Sequence, residues 1–312
     1  MLSRKRVVAM NAAPFHGLLV IDKPGGMTSR DAVDRAARWF PRGTRLGHTG
    51  TLDPLATGVL VLCLGSATRL TEYVQDMEKT YRTGILLGAR SDTDDADGTV
   101  ERVSLPGPPP DREQVAACLA QFVGEIEQVP PAYSAAKVGG RRAYGLARRG
   151  QVISLQPRRV RIHAIELLAY EYPRLDVLVR CGKGTYIRSL ARDLGEQLGC
   201  GALVESLRRT RVGSFEAEQG LSLEADATAA RARLLPMSAA VSELASITLS
   251  SEQLTRLAQG QKVPLFDIAE LPESTGGKRY VAVLNSGGEL AAIAVLDPAG
   301  GQLLPSKVLS GR

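Results

Sequence analysis

Residues 47–58 read GHTGTLDPLATG and lead directly into the apolar run Val59–Leu62. The three glycines of this stretch permit turns with positive φ or a close approach of the backbone to a ligand. Pro54 fixes its own φ and biases Asp53 away from the α region. The pattern therefore predicts a stiff loop beside a core strand that holds one carboxylate, as scaffolds hold catalytic groups. The alternative is a simple turn begun by Asp53, but such a turn needs neither His48 nor the flanking threonines and glycines.

The bulk composition indicates a cytosolic globular protein. The chain has 312 residues, is 44% apolar and carries a net charge of +6, which is compatible with a polyanionic partner. The four cysteines form no C-x-x-C pair and the three histidines are scattered, so we expect reduced cysteines, no disulfide framework and no zinc site. Residues 1–14 are predicted to be a disordered basic arm without the apolar core of a signal peptide. No apolar run approaches the ~20 residues that span a bilayer, so no membrane contact is expected.

Hydrophobic periodicity predicts an α+β fold with a mixed or antiparallel sheet flanked by helices and loops. Residues 204–212 are interpreted only as a basic segment, and no helix or strand is assigned to them. Residues 92–98 form an acidic turn that lacks the EF-hand pattern, so we interpret it as structural. We expect strands within 17–26 and over 58–64, 79–88, 158–172 and 174–181, and helices over 30–40, 68–76, 112–122 and 184–198.

The tail changes character after about residue 245. A short helix over 250–259 precedes three predicted strands, over 280–285, 290–296 and 302–309, with Gly and Pro between them. We therefore divide the chain into a domain over 15–245 and a small β-rich module over 246–312. The alternative is that residues 246–312 pack into the hydrophobic core of the preceding domain and form no separate unit. Within the larger domain, the Gly- and Arg-rich residues 131–158 are predicted to be a mobile basic insertion.

A second informative segment is CGKGTYIRSL, residues 181–190, which joins a predicted strand to a helix. Helix N-termini attract phosphate, and Lys183 and Arg188 add positive charge. The fixed spacing of a Walker motif is absent, which excludes a P-loop NTPase.

Together these motifs resemble those of the TruB-type tRNA pseudouridine synthases. Residues 47–58 match every fixed position of the family pattern G-H-x-G-x-L-D-P-x-A-x-G, and residues 183–188 match K-G-T-Y-I-R. Asp22–Pro24 match the D-K-P of a further motif, and residues 207–210 are family-like. The resemblance covers about residues 17–211. It implies a pseudouridine synthase catalytic domain followed by a PUA-like RNA-binding domain.

The resemblance also implies site residues and a reaction. The catalytic residues would be Asp53, Tyr81, which stacks on the target base and transfers a proton at C5, and Arg188, which pairs with Asp53. The activity would convert uridine 55 of the tRNA T-loop to pseudouridine after base flipping. Asp53 would either attack the ribose C1′ or abstract a C2′ proton, and the sequence leaves both routes open. Contacts with the substrate would come from His48, Lys23, Tyr186, Leu207 and Thr51.

We expect no metal and no organic cofactor, because the sequence lacks metal-ligand spacing and a nucleotide fingerprint. The expected partner is tRNA through its T-stem-loop, with no protein partner and a monomeric enzyme. Two alternatives are a non-catalytic RNA-binding protein and a guide-RNA-dependent synthase. A pure RNA binder has no need of Asp53 in an anionic groove, and the long basic tails of guide-dependent synthases are not visible here.

Overall fold

The structure is a computed structural model that describes residues 15–105, 107–134, 137–138, 141–142, 155–267 and 279–309. The predicted basic arm, 1–14, lies outside these residues. So does most of the predicted insertion, and of it the structure gives only residues 131–134, two short strands and 155–158.

Eighteen strands are described, most of them in two sheets. They are β1 (Gly17–Lys23), β2 (Leu46–His48), β3 (Thr57–Leu64), β4 (Lys79–Leu87), β5 (Ala89–Ser91), β6 (Val100–Arg102), β7 (Gly124–Gln128), β8 (Lys137–Val138), β9 (Arg141–Arg142), β10 (Arg158–Glu171), β11 (Arg174–Cys181), β12 (Ala202–Val212), β13 (Phe215–Glu216), β14 (Ser246–Thr248), β15 (Val263–Pro264), β16 (Arg279–Leu284), β17 (Leu290–Asp297) and β18 (Gln302–Val308). The α-helices of the described residues are α1 (Ser29–Ala36), α2 (Thr71–Asp76), α3 (Arg112–Ala120), α4 (Ile187–Gln197), α5 (Ala227–Ala232) and α6 (Ser251–Ala258).

The larger sheet has nine strands, with the order β1-β3-β12-β4-β11-β10-β7; β2 pairs with β3 and β13 with β12. Its pairs are antiparallel except for β3 and β12, which run parallel where Gly58 meets Arg209. This arrangement confirms the expected mixed sheet. The parallel contact brings the strand that follows the Asp53 loop beside the centre of the sheet.

The apolar run in β3 is continuous because this strand is buried on both faces. Leu60 and Leu62 point into one core, which they share with α1 and α4, whereas Val59 and Val61 point into a second core on the other face. A strand covered on both sides has no polar face, so its sequence does not alternate. The Asp53 loop is therefore attached to one of the most deeply buried strands of the protein.

The C-terminal sheet has the order β14-β16-β17-β18-β15. One of its faces forms a separate apolar core that includes Val281 and Leu303. Its other face contributes Ala282 and Ile293 to the second core of the large sheet, beside Val61. The β-rich module thus has a hydrophobic core of its own, as a separate unit would. It also contributes to a core of the large sheet, as expected if the tail packs with the preceding domain.

Two sequence predictions need correction. Residues 204–212, interpreted only as a basic segment, belong to β12, a central strand of the sheet. The helix predicted over 184–198 begins only at Ile187, because Gly184, with φ of 81°, keeps the preceding residues in a turn. The strand β7 was not predicted, and the helix predicted over 68–76 is a 3-10 helix at 65–70 followed by α2.

Candidate active site

Polar groups of α1 and of the turn between β1 and α1 fix the loop that carries Asp53. The Ser29 hydroxyl donates to the Leu52 carbonyl at 2.9 Å and accepts from the Leu52 amide at 2.7 Å. On the other side of Asp53, the Gly26 amide donates to the Pro54 carbonyl at 2.9 Å. The backbone is therefore held immediately before and after Asp53, which leaves its side chain little freedom to move away from the site.

Lys23 adds a third anchor from beneath the loop. Its ammonium donates to the Pro24 and Met27 carbonyls, both at 2.8 Å, and reaches the Pro54 carbonyl at 3.5 Å. The side chain has no exposed surface. Burial lowers the pKa of Lys23 to about 8, and the nearby Asp53 carboxylate acts in the opposite direction. Lys23 was expected to contact the substrate, but the structure places its ammonium behind the loop, where its contacts are with the backbone.

Arg188 lies opposite Asp53 at the start of α4. Its Nε is 2.9 Å from Asp53 Oδ2 and its Nη1 is 3.2 Å from Asp95 Oδ2. The guanidinium also donates to the carbonyls of Thr93 at 2.9 Å and Tyr133 at 2.8 Å. Only 4% of Arg188 is exposed. Both terminal nitrogens donate to carbonyls, which fixes the direction of the buried guanidinium, so Arg188 presents a rigid positive charge to Asp53.

The Asp53 carboxyl has a perturbed pKa. Burial raises this pKa, the Arg188 guanidinium opposes the increase, and the Asp95 carboxylate adds to it. About a third of the Asp53 side chain, 32%, is still exposed. A carboxyl that is confined on one side and open on the other is typical of a group that reacts with a ligand.

The acidic turn supports the arginines of α4. Asp95 is buried and accepts from the Thr93 hydroxyl at 2.6 Å. Asp94 forms an ion pair of 3.0 Å with Arg192, one turn after Arg188 on the same helix. The turn is therefore structural, as interpreted from the sequence, and the structure shows that it orients two arginines of α4.

A buried amide fixes the residue that precedes α4. Gln128, 1% exposed at the end of β7, accepts from the Tyr186 amide at 2.8 Å and donates to the Tyr186 carbonyl at 3.0 Å. Ser189 donates to the Val129 carbonyl at 2.8 Å. These contacts hold the start of α4 against the edge of the large sheet. Arg188, in the first turn of this helix, is held in place with it.

Arg209 joins the Asp53 loop to Tyr81. The Arg209 side chain, 3% exposed, donates to the Val59 carbonyl at 2.8 Å and to the Gly50 carbonyl at 3.1 Å. Arg209 is also the direct cross-strand partner of Tyr81, which lies on the adjacent strand β4. Burial raises the pKa of Tyr81, and the Arg209 charge opposes that increase. One buried cation therefore contacts both the Asp53 loop and Tyr81.

These side chains surround a cavity of about 810 Å³, which is within the range of ligand sites. All three predicted catalytic residues line it, together with Thr51, Tyr186, Leu207 and Arg209. Further lining residues are mostly polar or basic and include Lys79, Ser134, Arg158, Arg159, Lys183 and Thr185. The cavity also reaches Tyr73 and Tyr280, beyond the large sheet. A basic, partly aromatic cleft of this kind suits an anionic ligand, and the carboxylate supplies a reactive group within it.

His48 and Lys23 are the predicted site residues that do not line this cavity within the described chain. His48 is half-buried in β2 opposite Leu62, directly before the lining residue Thr49. The sequence singled out Arg209 and Asp95 only within larger segments, the family-like residues 207–210 and the acidic turn 92–98. It gave no sign that Gln128 and Ser29 belong to the site, because their contacts are with residues distant in the sequence.

Within the part of the chain that the structure describes, no group of three or more His, Cys, Asp or Glu side chains is placed to hold a metal ion. Among the same residues, the helices are too short or too polar to cross a membrane.

Two family models match the chain. Residues 38–187 match the TruB family pseudouridylate synthase N-terminal domain, and residues 188–242 match the tRNA pseudouridylate synthase B C-terminal domain. The tRNA pseudouridine synthase B of Xanthomonas campestris pv. campestris (strain B100) is 44% identical over 306 residues, which cover 96% of this chain and 95% of that protein. The protein of the same name from Cupriavidus pinatubonensis is 42% identical over 304 residues and 94% of each chain.

Two solved structures share the fold. A chain of a Cbf5-Nop10-Gar1 complex is 26% identical, with a TM-score of 0.73, over 95% of this chain and 85% of that one. A chain of an H/ACA RNP bound to a substrate RNA containing 2'-deoxyuridine also gives a TM-score of 0.73, at 24% identity, over 95% of this chain and 86% of that one. The predicted fold class, a pseudouridine synthase domain with a β-rich C-terminal unit, is therefore confirmed.

Proposed function

The chain belongs to the TruB family of pseudouridylate synthases, and from this premise we propose that it converts uridine 55 in the T-loop of tRNA to pseudouridine. The observation that carries the proposal is the ion pair of 2.9 Å between Asp53 and Arg188 at the wall of the cavity. A protein that only binds RNA gains nothing from a carboxylate facing phosphates. An isomerase needs such a group, because the glycosidic bond has to be broken and formed again.

The proposed isomerisation rearranges bonds and protons without adding or removing atoms. The C1′–N1 bond breaks, a C1′–C5 bond forms, C5 loses its proton and N1 gains one, with no net oxidation. The target uridine leaves the stack, as enzymes that act on a base require, and its base stacks against Tyr81. Asp53 then either attacks C1′ or removes the C2′ proton, and both routes use the carboxylate form. Arg188 favours that form by its charge.

Tyr81 is the residue that we assign to proton transfer at C5. Tyr81 lines the cavity, and Arg209 is its cross-strand partner on β12. The Arg209 charge offsets part of the rise in the Tyr81 pKa that burial causes, which limits the cost of forming the phenolate during proton transfer. Leu207, on the strand that also carries Arg209, would close the cavity over the base, and Tyr186 and Thr51 would line the path of the RNA.

The finer assignments are also proposals. The separate core of the C-terminal sheet and the end of the family models at residue 242 support a boundary near residue 245, with 246–312 as a PUA-like RNA-binding module. We propose that the enzyme is a cytoplasmic monomer that needs no protein partner and no cofactor. Size-exclusion chromatography with light scattering on the purified chain would contradict the monomer if it gave a larger mass.

The test of the proposed function is tritium release from C5-tritiated uridine in a T-stem-loop transcript. The purified protein should release tritium without any guide RNA, and Asp53→Asn should reduce the release to background. Asp34→Asn is the matched control, because Asp34 is an exposed carboxylate of α1 that pairs with Arg30. The Asp53 variant should still bind the transcript, since the exchange preserves its shape.

Two outcomes would contradict the proposal. Turnover by Asp53→Asn would exclude Asp53 as the essential group. Release that required an added guide RNA would replace the proposed function by that of a guide-dependent synthase.

A further inference from the structure

The cavity extends from Asp53 to the C-terminal sheet. Tyr280, on β16, lines its far end together with Glu72 and Tyr73, which belong to α2. The cavity is also lined by Arg158, Arg159 and Lys183, of which Lys183 forms an ion pair of 2.6 Å with Asp76. The site is thus longer than the group of residues around Asp53, and its far end is aromatic.

Tyr280 is held against the large domain by a second aromatic ring. The ring centroids of Tyr73 and Tyr280 are 6.5 Å apart and their planes form an angle of 77°, which is a favourable edge-to-face contact. Lys307 lies 5.1 Å from the centroid of the Tyr73 ring and also contacts Glu72 at 2.5 Å. The edge-to-face contact orients Tyr280, while Lys307 covers the Tyr73 ring rather than Tyr280.

Tyr280 is exposed although its neighbours are not. It is 52% exposed, whereas the next residues of β16, Val281 and Ala282, are 0% and 3% exposed. Aromatic residues make up only 4% of this chain. An exposed ring that is held in a fixed orientation, in a cavity that cationic side chains also line, is a suitable platform for a base. Every nucleobase offers a π-face, and stacking on aromatic rings is a general mode of RNA binding.

We propose that Tyr280, oriented by Tyr73, is a stacking site for a nucleobase of the substrate RNA other than the uridine that is isomerised. The arginines of the wall would follow the phosphates between the two positions, which matches the charge of the strand. The inference rests on the proposed function, because it assumes that RNA occupies the cavity. It assigns the C-terminal sheet a direct part in the substrate site.

The experiment compares Tyr280→Ala and Tyr280→Phe in the full-length protein. The dissociation constant for an unmodified tRNA transcript would be measured at one fixed salt concentration, since phosphate contacts depend on salt. Loss of one base–aromatic stack should raise Kd roughly 5- to 100-fold for Tyr280→Ala. Tyr280→Phe should stay within about twofold of the natural protein, because it keeps the ring. The matched control is Phe266→Ala, since Phe266 is 88% exposed in the same sheet module and does not line the cavity.

A second measurement reports stacking itself. In transcripts with 2-aminopurine at single positions other than that of the target uridine, whose base stacks on Tyr81, at least one position should show quenching with the natural protein and with Tyr280→Phe, and none with Tyr280→Ala. Unchanged Kd for Tyr280→Ala, equal weakening by Phe and Ala, or quenching that survives in Tyr280→Ala would overturn the inference. Tritium release by the natural protein tests the proposed function separately, so that failure of one is distinguishable from failure of the other.

Discussion

Three buried cations position the candidate site. Lys23, Arg188 and Arg209 are each less than 5% exposed, and each donates to backbone carbonyls of the loops around Asp53. Burying a charge is costly unless its hydrogen bonds are satisfied. Once satisfied, such a group is difficult to displace and fixes the segments that it contacts. The three buried cations are therefore consistent with an Asp53 carboxylate that is held in position before the substrate binds.

The raised pKa of Asp53 predicts the acid limb of the pH profile. Because the proposed reaction needs the carboxylate, activity is lost as pH falls through this raised pKa. The acid limb of kcat/KM, which reports the free enzyme, should therefore have its midpoint above the ordinary value of 3.8. Arg188→Gln removes the charge that opposes the increase, so in this variant the midpoint should move to still higher pH. Circular dichroism at each pH separates titration from unfolding, and a midpoint at 3.8 or below would contradict the assignment.

Arg209 and its neighbour Arg208 form a natural pair of test and control. Arg209 contacts the Asp53 loop and Tyr81, whereas Arg208 forms an ion pair with Asp22 at 2.9 Å. Arg209→Gln should lower kcat by roughly 10- to 100-fold, because both the loop and the proton acceptor lose a fixed partner. It should also lower stability by about 1.5–3 kcal/mol through lost charged hydrogen bonds. Arg208→Gln should have little effect on kcat under saturating RNA. An equal decrease of kcat in the two variants would contradict the different roles assigned to Arg209 and Arg208.

At the scale of elements, the contact between β3 and β12 explains one glycine of the motif at residues 47–58. Gly58 has φ of 99°, and a Cβ there would lie 2.1 Å from the Arg209 carbonyl oxygen. At Gly47 no atom lies within 4 Å of such a Cβ, and at Gly50 the nearest is 3.6 Å away. The three glycines therefore differ: only Gly58 combines positive φ with a close approach.

This difference predicts unequal effects of alanine at the two ends of the motif. Gly58→Ala should lower the free energy of unfolding by about 2–5 kcal/mol, since it adds left-handed strain and an overlap with backbone. Gly47→Ala should change it by less than about 1 kcal/mol. Urea titration monitored by circular dichroism measures both. Similar losses in the two variants would show that the parallel contact is not what constrains Gly58.

At the scale of the whole molecule, the two sheets are joined through shared apolar packing. Ala282, Leu290, Ile293 and Leu309 belong to the same core as strands β1 and β3 of the large sheet. Polar contacts accompany this packing: Lys307 donates to the Arg69 carbonyl at 2.9 Å, and Arg69 donates to the Val308 carbonyl. The C-terminal sheet therefore supports the strand that follows the Asp53 loop from the side opposite to α1.

Truncation after residue 245 tests this coupling. The shortened chain should unfold at a temperature lower by roughly 5 °C or more, because it exposes part of the second core. Activity on a T-stem-loop should fall together with stability at the assay temperature. The control is Leu303→Ala, which creates a cavity only in the separate core of the C-terminal sheet. An unchanged midpoint temperature of unfolding in the shortened chain would show that the shared core contributes little to the stability of the larger domain.

The sequence alone determined the α+β class, the main strands and helices, the Asp53 loop and the family. These features depend on local patterns: hydrophobic periodicity, glycine and proline positions, and motifs within a dozen residues of one another. The resemblance already implied that Arg188 pairs with Asp53, and the structure supplies the geometry of that pair. Only the tertiary structure placed Lys23 behind the loop and Arg209 between that loop and Tyr81. Arg209 and Gly50 are 159 residues apart in the chain, and no local pattern specifies such a contact. Charged residues in β12 resembled an exposed basic segment because the carbonyls that compensate the burial of Arg209 come from other parts of the chain.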